Sequence, residues 1–213
     1  MSRRCVIVSG GEFSCARGLK EDDFVIACDR GYLWCKRLGL KPDLLISDFD
    51  SYSGPVSSEI PQECHPPEKD DTDTMLAMRY AAAHNFDSVL LCCALGGRLD
   101  HLLANLQAMH FVRKCGLDVS LQAEDTEICL LAADASPLRL PRRAGWSLSL
   151  FALDGPCRGV CALGVKYPLD NAELVPSFPI GVSNEWAAEN AELSVREGIL
   201  TVVLSQLAQD STP

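Results

Sequence analysis

Ser88-Val89-Leu90-Leu91-Cys92-Cys93-Ala94-Leu95 runs into Gly96-Gly97 and then into Arg98-Leu99-Asp100-His101. A short, almost unbroken apolar run bounded by glycines reads as a strand buried on both faces. Past the glycines the period changes, and Leu99, Leu102, Leu103, Leu106 and Met109 fall on one face of a helix. Working outward, the same alternation recurs. Cys5-Val6-Ile7-Val8 ends in Ser9-Gly10-Gly11, and Phe24-Val25-Ile26-Ala27-Cys28 ends in Asp29-Arg30-Gly31, with a short helix through Trp34 and Leu38 after it. Asp43-Leu44-Leu45-Ile46 ends in Ser47-Asp48-Phe49-Asp50-Ser51, an Ala- and Met-rich helix runs from Thr72 to about His84, and Val119 to Gln122 forms a further strand.

Unbroken apolar strands separated by helices predict a mostly parallel sheet covered on both faces, a Rossmann-like three-layer α/β domain. Ligands of such sheets lie beyond the carboxyl ends of the strands. Every Gly- or Asp-rich segment just named stands at such an end.

The pattern changes near Ala132–Gly145, which carries Pro137, Pro141 and the adjacent Arg142 and Arg143. Beyond it, Trp146 to Phe151, Glu192 to Val195 and Leu200 to Leu204 alternate, and Asp154-Gly155-Pro156, Tyr167-Pro168 and Glu197-Gly198 break the chain into turns. Short alternating strands at this spacing predict an all-β sandwich. The expected domains are therefore 1–132, α/β, and 133–213, all-β.

A length of 213 residues with 47% hydrophobic and 23% charged residues suits a globular chain that needs no covalent staples. The net charge of −10 argues against binding along a nucleic-acid backbone or an anionic membrane, but not against a small phosphorylated ligand. The eleven cysteines are odd in number, form no C-x-x-C, and fall largely inside apolar runs, as buried reduced thiols do. Cys157 and Cys161 have no second ligand pair, so no metal site is read there. The start of the chain, Met1-Ser2-Arg3-Arg4, carries no signal-peptide pattern, and no apolar stretch approaches a membrane span. A soluble, cytoplasmic protein is expected.

Two acidic runs carry the chemistry: Asp48-Phe49-Asp50, and Glu68-Lys69-Asp70-Asp71-Thr72-Asp73. Like charges ~4 Å apart at an effective dielectric of ~20 cost about 4 kcal/mol per pair, so carboxylates gathered in one cleft call for a divalent cation, and hard oxygen ligands suit Mg²⁺. Two residues apart in extended chain, Asp48 and Asp50 project to one side. A solvated turn explains D-x-D equally well. Acidic residues in a first helical turn explain Asp71 and Asp73 without a ligand, but not Lys69 nor a second acidic cluster at the same sheet edge. Gly96-Gly97 before a helix N-terminus lets backbone N–H groups approach phosphate, and Arg98 can fork onto its oxygens. Asp100 and His101 are placed on the polar side of that helix, with Asn105 one turn on. The spacing matches neither G-x-x-x-x-G-K-[ST] nor G-x-G-x-x-G.

In order, Pro42-Asp43 through Asp48-Phe49-Asp50-Ser51, Pro67 through Asp73, Gly96 through His101 with Ala104-Asn105, Gly164-Val165-Lys166-Tyr167-Pro168-Leu169 and Ser183-Asn184-Glu185 resemble the thiamine pyrophosphokinase family over about residues 5–205. The resemblance implies a homodimer in which an α/β domain handles the nucleotide and a C-terminal β-sandwich helps bind thiamine. It also implies transfer of a pyrophosphoryl group from ATP to the thiamine hydroxyl, leaving AMP. By that resemblance Asp48, Asp50 and Asp73 hold Mg²⁺, Lys69 and Arg98 steady the phosphates, and Asp70 and Asp100 organise the site. Asp29, His101 and Asn105 join the substrate-binding set, and Tyr167, Ser183 and Asn184 belong to the thiamine pocket. The chain departs from many relatives in having Arg30 within Asp29-Arg30-Gly31, and Ser47 where glycine commonly precedes the DFD run. Two rivals are a pyrophosphokinase for a pterin alcohol and a non-catalytic thiamine- or nucleotide-binding dimer. The Ser183-Asn184 region weighs against the first; the metal aspartates with Lys69 and Arg98 weigh against the second.

Overall fold

The computed structural model describes residues 3–47, 54–64 and 71–207, which divide into two compact units, Met1–Glu124 and Asp125–Pro213. The first contains β1 (Arg4–Val8), β2 (Phe24–Cys28), α1 (Gly31–Leu38), β3 (Leu44–Ser47), β4 (Gln62–Cys64), α2 (Asp73–Ala83), β5 (Ser88–Cys92), α3 (Leu99–Lys114) and β6 (Asp118–Gln122). Its strands pair in parallel in the order β6-β5-β1-β2-β3-β4. The apolar strands β1, β2, β3 and β5 are buried almost throughout because both of their faces meet other side chains. Val6, Val8, Val25, Ala27, Leu45, Leu90 and Cys92 point to one face and pack with Tyr32 and Cys35 of α1. Helix α2 packs on β1, β2 and β3 and against α3.

Register carries the strand ends to one edge. Val8 pairs with Ala27 on one side and Cys92 on the other, while Cys28 pairs with Ile46. The residues that follow, Ser9, Asp29 and Cys93, are thus neighbours by construction.

Three expectations are corrected. The strand from Ser88 stops at Cys92 rather than running to Leu95, because Cys93 takes a left-handed φ of 52° that breaks the ladder. Helix α3 buries Asn105, Ala108, Met109 and Val112, whereas Leu99 and Leu103 are 68% and 54% exposed. The leucine stripe at the helix start therefore does not face this unit's core. The division falls at Glu124, not after Ala132, because residues 126–132 form a strand whose partner lies near the far end of the chain.

The second unit contains β7 (Thr126–Ala132), β8 (Leu138–Pro141), β9 (Trp146–Phe151), β10 (Cys157–Leu163), β11 (Leu169–Leu174), β12 (Gly181–Asn184), β13 (Asn190–Ser194) and β14 (Ile199–Gln206). It has no helix among the described residues. Its strands pair antiparallel as β12-β9-β14-β7 and as β11-β10-β13-β8. Leu148, Leu150, Leu200 and Val202 of the first set share one core with Val160, Ala162, Ala191 and Leu193 of the second. Alternate residues of both sheets face each other, as in a sandwich.

Candidate active site

At the carboxyl edge of the parallel sheet lies a cleft of about 480 Å³. The turns after β1, β2 and β5 and the start of α2 form its walls.

The turn after β2 is held tightly. Asp29 is buried with a left-handed φ of 47°, a conformation that a short polar side chain tolerates better than most. Its N–H donates to Ile46 O at 3.0 Å, and its Oδ1 accepts from Ser47 Oγ at 3.1 Å. The next position but one must be glycine. A Cβ on Gly31 would stand 2.0 Å from Val8 O, so α1 starts in backbone contact with β1.

Helix α2 is anchored by its first turn. Thr72 caps it, its Oγ1 accepting from Met75 N at 3.1 Å. Ser9 and Thr74 share a buried hydroxyl contact of 2.8 Å that ties the end of β1 to this turn. Cys28 Sγ donates to Asp73 O at 3.6 Å. Asp73 therefore opens α2 at the cleft wall, where the helix N-terminus also favours its charge.

The turn after β5 takes φ of 74° at Gly96 and 68° at Gly97, which glycine adopts without steric cost. Arg98 follows at the N-cap of α3 and donates from Nε and Nη2 to the two oxygens of Asp100, at 3.1 and 2.6 Å. This pairing holds the Asp100 carboxyl below its ordinary range and raises the Arg98 guanidinium. Asp100 Oδ1 also accepts from His101 N at 3.0 Å. Asp100 thus orients Arg98, and Arg98 and His101 both line the cleft. Asn105, expected on the polar side, is instead buried; its Nδ2 donates to Ala94 O at 2.9 Å and fixes the chain leaving β5.

In the second unit, Asn184 is buried and brackets Tyr167. Its Oδ1 accepts from Tyr167 N at 3.0 Å and Glu185 N at 2.9 Å, and its Nδ2 donates to Tyr167 O at 2.7 Å. Ser183 beside it has a left-handed φ of 58°, and its N–H donates to Ser149 Oγ at 3.0 Å. Tyr167, Ser183 and Asn184 therefore share one place, with the tyrosine ring exposed.

Asp48, Asp50, Lys69 and Asp70 lie outside the described residues. Among the described residues no group of three or more His, Cys, Asp or Glu stands close enough to hold a metal. Asp29, Asp71 and Asp73 nonetheless line the cleft, and their hard carboxylate oxygens suit Mg²⁺. Thr74 and Glu12 escaped the sequence reading, and nothing in one dimension signals them. Ser9, read only as part of the segment that ends the first apolar run, lines the cleft.

Residues 15–121 match the family described as thiamin pyrophosphokinase, catalytic domain, and residues 137–200 match thiamin pyrophosphokinase, vitamin B1 binding domain. The chain is similar to the thiamine pyrophosphokinase of Bacillus subtilis (strain 168), with 24% identity over 185 residues, 84% of this chain and 86% of that protein. Among solved structures, a thiamin pyrophosphokinase family protein from Enterococcus faecalis matches with a TM-score of 0.77 and 29% identity, over 97% of this chain and 100% of that one. The thiamine pyrophosphokinase of Bacillus subtilis matches with a TM-score of 0.81 and 22% identity, over the same shares of the two chains. Two family matches in this order span both compact units, and the chain belongs to the thiamin pyrophosphokinase family.

Proposed function

We propose that the chain transfers a pyrophosphoryl group from ATP to the hydroxyl of thiamine, giving thiamine diphosphate and AMP, and that the cleft at the parallel-sheet edge receives the nucleotide phosphates. The observation that carries this reading is the meeting of Gly96-Gly97, the Asp100-held Arg98 and the carboxylates Asp29 and Asp73 around one cleft. A glycine turn entering a helix N-terminus lets phosphate oxygens approach the backbone closely, and an oriented guanidinium adds a bidentate donor, with Gly97 N held by Glu12 Oε1 at 3.3 Å until a ligand takes its place.

Transfer of this kind asks for positioning and charge neutralisation more than for covalent chemistry. Arg98 and Lys69 steady the phosphates, while Asp70 and Asp100 organise the site. Asp73, with Asp48 and Asp50, would hold Mg²⁺, which supplies charge neutralisation on the phosphates when bound. Asp29, His101 and Asn105 shape the nucleotide wall. The first unit is read as a Rossmann-like layered domain for nucleotide and metal, and the second, a sandwich, as the thiamine-binding domain. Tyr167, Ser183 and Asn184 belong to the thiamine pocket of a homodimer. A cytoplasmic location fits the free, mostly buried thiols of the described residues, none of whose helices is long and apolar enough to cross a membrane.

The test is an AMP-release assay with purified protein, ATP, Mg²⁺ and thiamine against a control lacking thiamine. Thiamine- and Mg²⁺-dependent AMP supports the reading; ADP in place of AMP, or turnover with a pterin alcohol only, overturns it. Asp48→Asn is expected to abolish turnover and leave thiamine binding largely intact, and unchanged turnover would refute the metal assignment.

A further inference from the structure

The segment Gly10–Phe13, directly after β1, forms a strap between α1 and the turn after β5. On the α1 side, Arg30 donates from Nε and Nη2 to Gly10 O at 3.1 and 2.6 Å, and from Nη2 to Gly11 O at 3.0 Å. Trp34 Nε1 donates to the same Gly11 O at 3.0 Å, and the Arg30 guanidinium lies 5.5 Å from the Trp34 ring centre. Phe13 packs on Trp34 with ring centres 5.5 Å apart, and Arg37 lies 3.8 Å from the centre of the Phe13 ring. On the other side, Gly11 N donates to Cys93 O at 2.8 Å and Glu12 N to Leu95 O at 2.9 Å. Glu12 Oε1 accepts from Gly97 N at 3.3 Å.

We propose that Arg30 is a positioning residue for the nucleotide: its forked grip on the Gly10 and Gly11 carbonyls sets the strap, and through it the Gly96-Gly97 turn, in register for phosphate. The proposal rests on the reading of the cleft as the nucleotide site. Two physical arguments support it. Carbonyl oxygens in a cleft meant for phosphate repel the ligand unless a donor occupies them, and a guanidinium both occupies them and brings positive charge. On its α1 side the strap is also held by Trp34, which donates to Gly11 O, and by the packing of Phe13, but among the described residues only Arg30 grips both the Gly10 and Gly11 carbonyls. A Cβ at Gly11 would lie 2.6 Å from Cys93 O, so the strap already sits in backbone contact with the β5 turn, and a shift on one side is transmitted to the other. Lysine cannot reproduce this grip, because a single ammonium lacks the planar fork.

The experiment measures kcat, KM for ATP and KM for thiamine for Arg30→Ala and Arg30→Lys, with unfolding midpoints and calorimetric ATP affinity for both. Arg30→Ala is expected to raise KM for ATP about tenfold, the loss of about 1.4 kcal/mol of binding. KM for thiamine and the unfolding midpoint should hold near the parent values, and Arg30→Lys should stay close to the alanine variant. Parental ATP affinity in Arg30→Ala overturns the proposal. So does full recovery in Arg30→Lys, which would mean that charge alone matters. An equal rise in both KM values with a lowered midpoint also overturns it, as a merely structural role. If the parent protein shows no thiamine-dependent AMP release, the functional reading fails separately, and the calorimetric ATP affinities still decide the role of Arg30.

Discussion

Replacing Gly31 by alanine tests whether the cleft depends on the contact between α1 and β1. The added Cβ would stand 2.0 Å from Val8 O and 2.8 Å from Val8 C, and ordinary contact begins near 3.4 Å, so about 1.4 Å must be recovered. No flexible side chain can give way. The obstructing atoms are backbone of β1, which is paired on both sides, and the preceding turn is fixed by Asp29 N to Ile46 O and by Tyr32 N to Asp29 O, each at 3.0 Å. Overpacking of a well-filled site costs about 1–3 kcal/mol, and a rigid obstacle puts this change near about 3 kcal/mol. Set against a typical total stability of about 5–15 kcal/mol, that is a large loss. With a urea m-value of about 2–3 kcal/mol/M the unfolding midpoint falls by about 1 M. Far-ultraviolet circular dichroism is a suitable probe, because all helices of the described residues belong to the first unit. Gly155→Ala, where nothing lies near the new Cβ, serves as the control and is expected within about 0.5 kcal/mol of the parent. A Gly31→Ala midpoint indistinguishable from the parent would refute the reasoning.

Thr72→Ala removes the acceptor for Met75 N and is expected to cost about 1 kcal/mol, while Thr72→Ser keeps most of it; equal urea midpoints for the two variants would contradict the capping role. Burial works against the Asp23 carboxylate, but Arg4, donating to its two oxygens at 2.8 and 2.6 Å, and Lys20 N, donating at 2.7 Å, together outweigh this and hold the carboxyl below its ordinary 3.8. A depressed carboxyl contributes stability above its ordinary value and loses it as pH falls through the lower folded value, so Asp23→Asn should flatten the acid limb of the stability curve; an unaltered slope below about pH 5 would count against it. Burial pushes the Cys35 thiol up to about 12 and Cys28 well above its ordinary range, whereas Cys15 and Cys115 are exposed. Among the described thiols, iodoacetamide on the folded protein should modify Cys15 and Cys115 first, read by mass spectrometry; early labelling of Cys28 or Cys35 would contradict the burial.

Most of the parallel unit was legible because its strands carry unbroken apolar runs that nothing else explains. β2 falls on Phe24–Cys28, and α2 begins directly after the Thr72 cap. β4, Gln62–Cys64, was missed because it is a short edge strand with no apolar pattern, and its pairing with β3 supplies what its side chains do not. In the second unit β9 was readable from strict alternation in Trp146–Phe151. β11, Leu169–Leu174, was not, since only Leu174 of it is fully buried and irregular pairing with β10 disturbs the period. At the site, Asp73 and Arg98 stood out because charge at a strand or helix end is visible in one dimension. The pairing of Ser9 with Thr74, 65 residues apart, and of Gly97 with Glu12, 85 apart, belongs to tertiary structure alone. Asn105 stands one turn beyond His101 and lines the cleft, but its burial and its bond to Ala94 O were not legible, because helical periodicity gives a face but not its partner.

The first and last described strands are both interior to their sheets: β1 lies between β2 and β5, and β14 between β7 and β9. During synthesis β1 keeps an open edge until Cys92 has left the ribosome, and the sheet β12-β9-β14-β7 lacks its middle until Ile199–Gln206 is made. Such distant pairings are slow to close and leave apolar edges bare in the interval. Trimming into either strand would remove a keystone rather than a fringe.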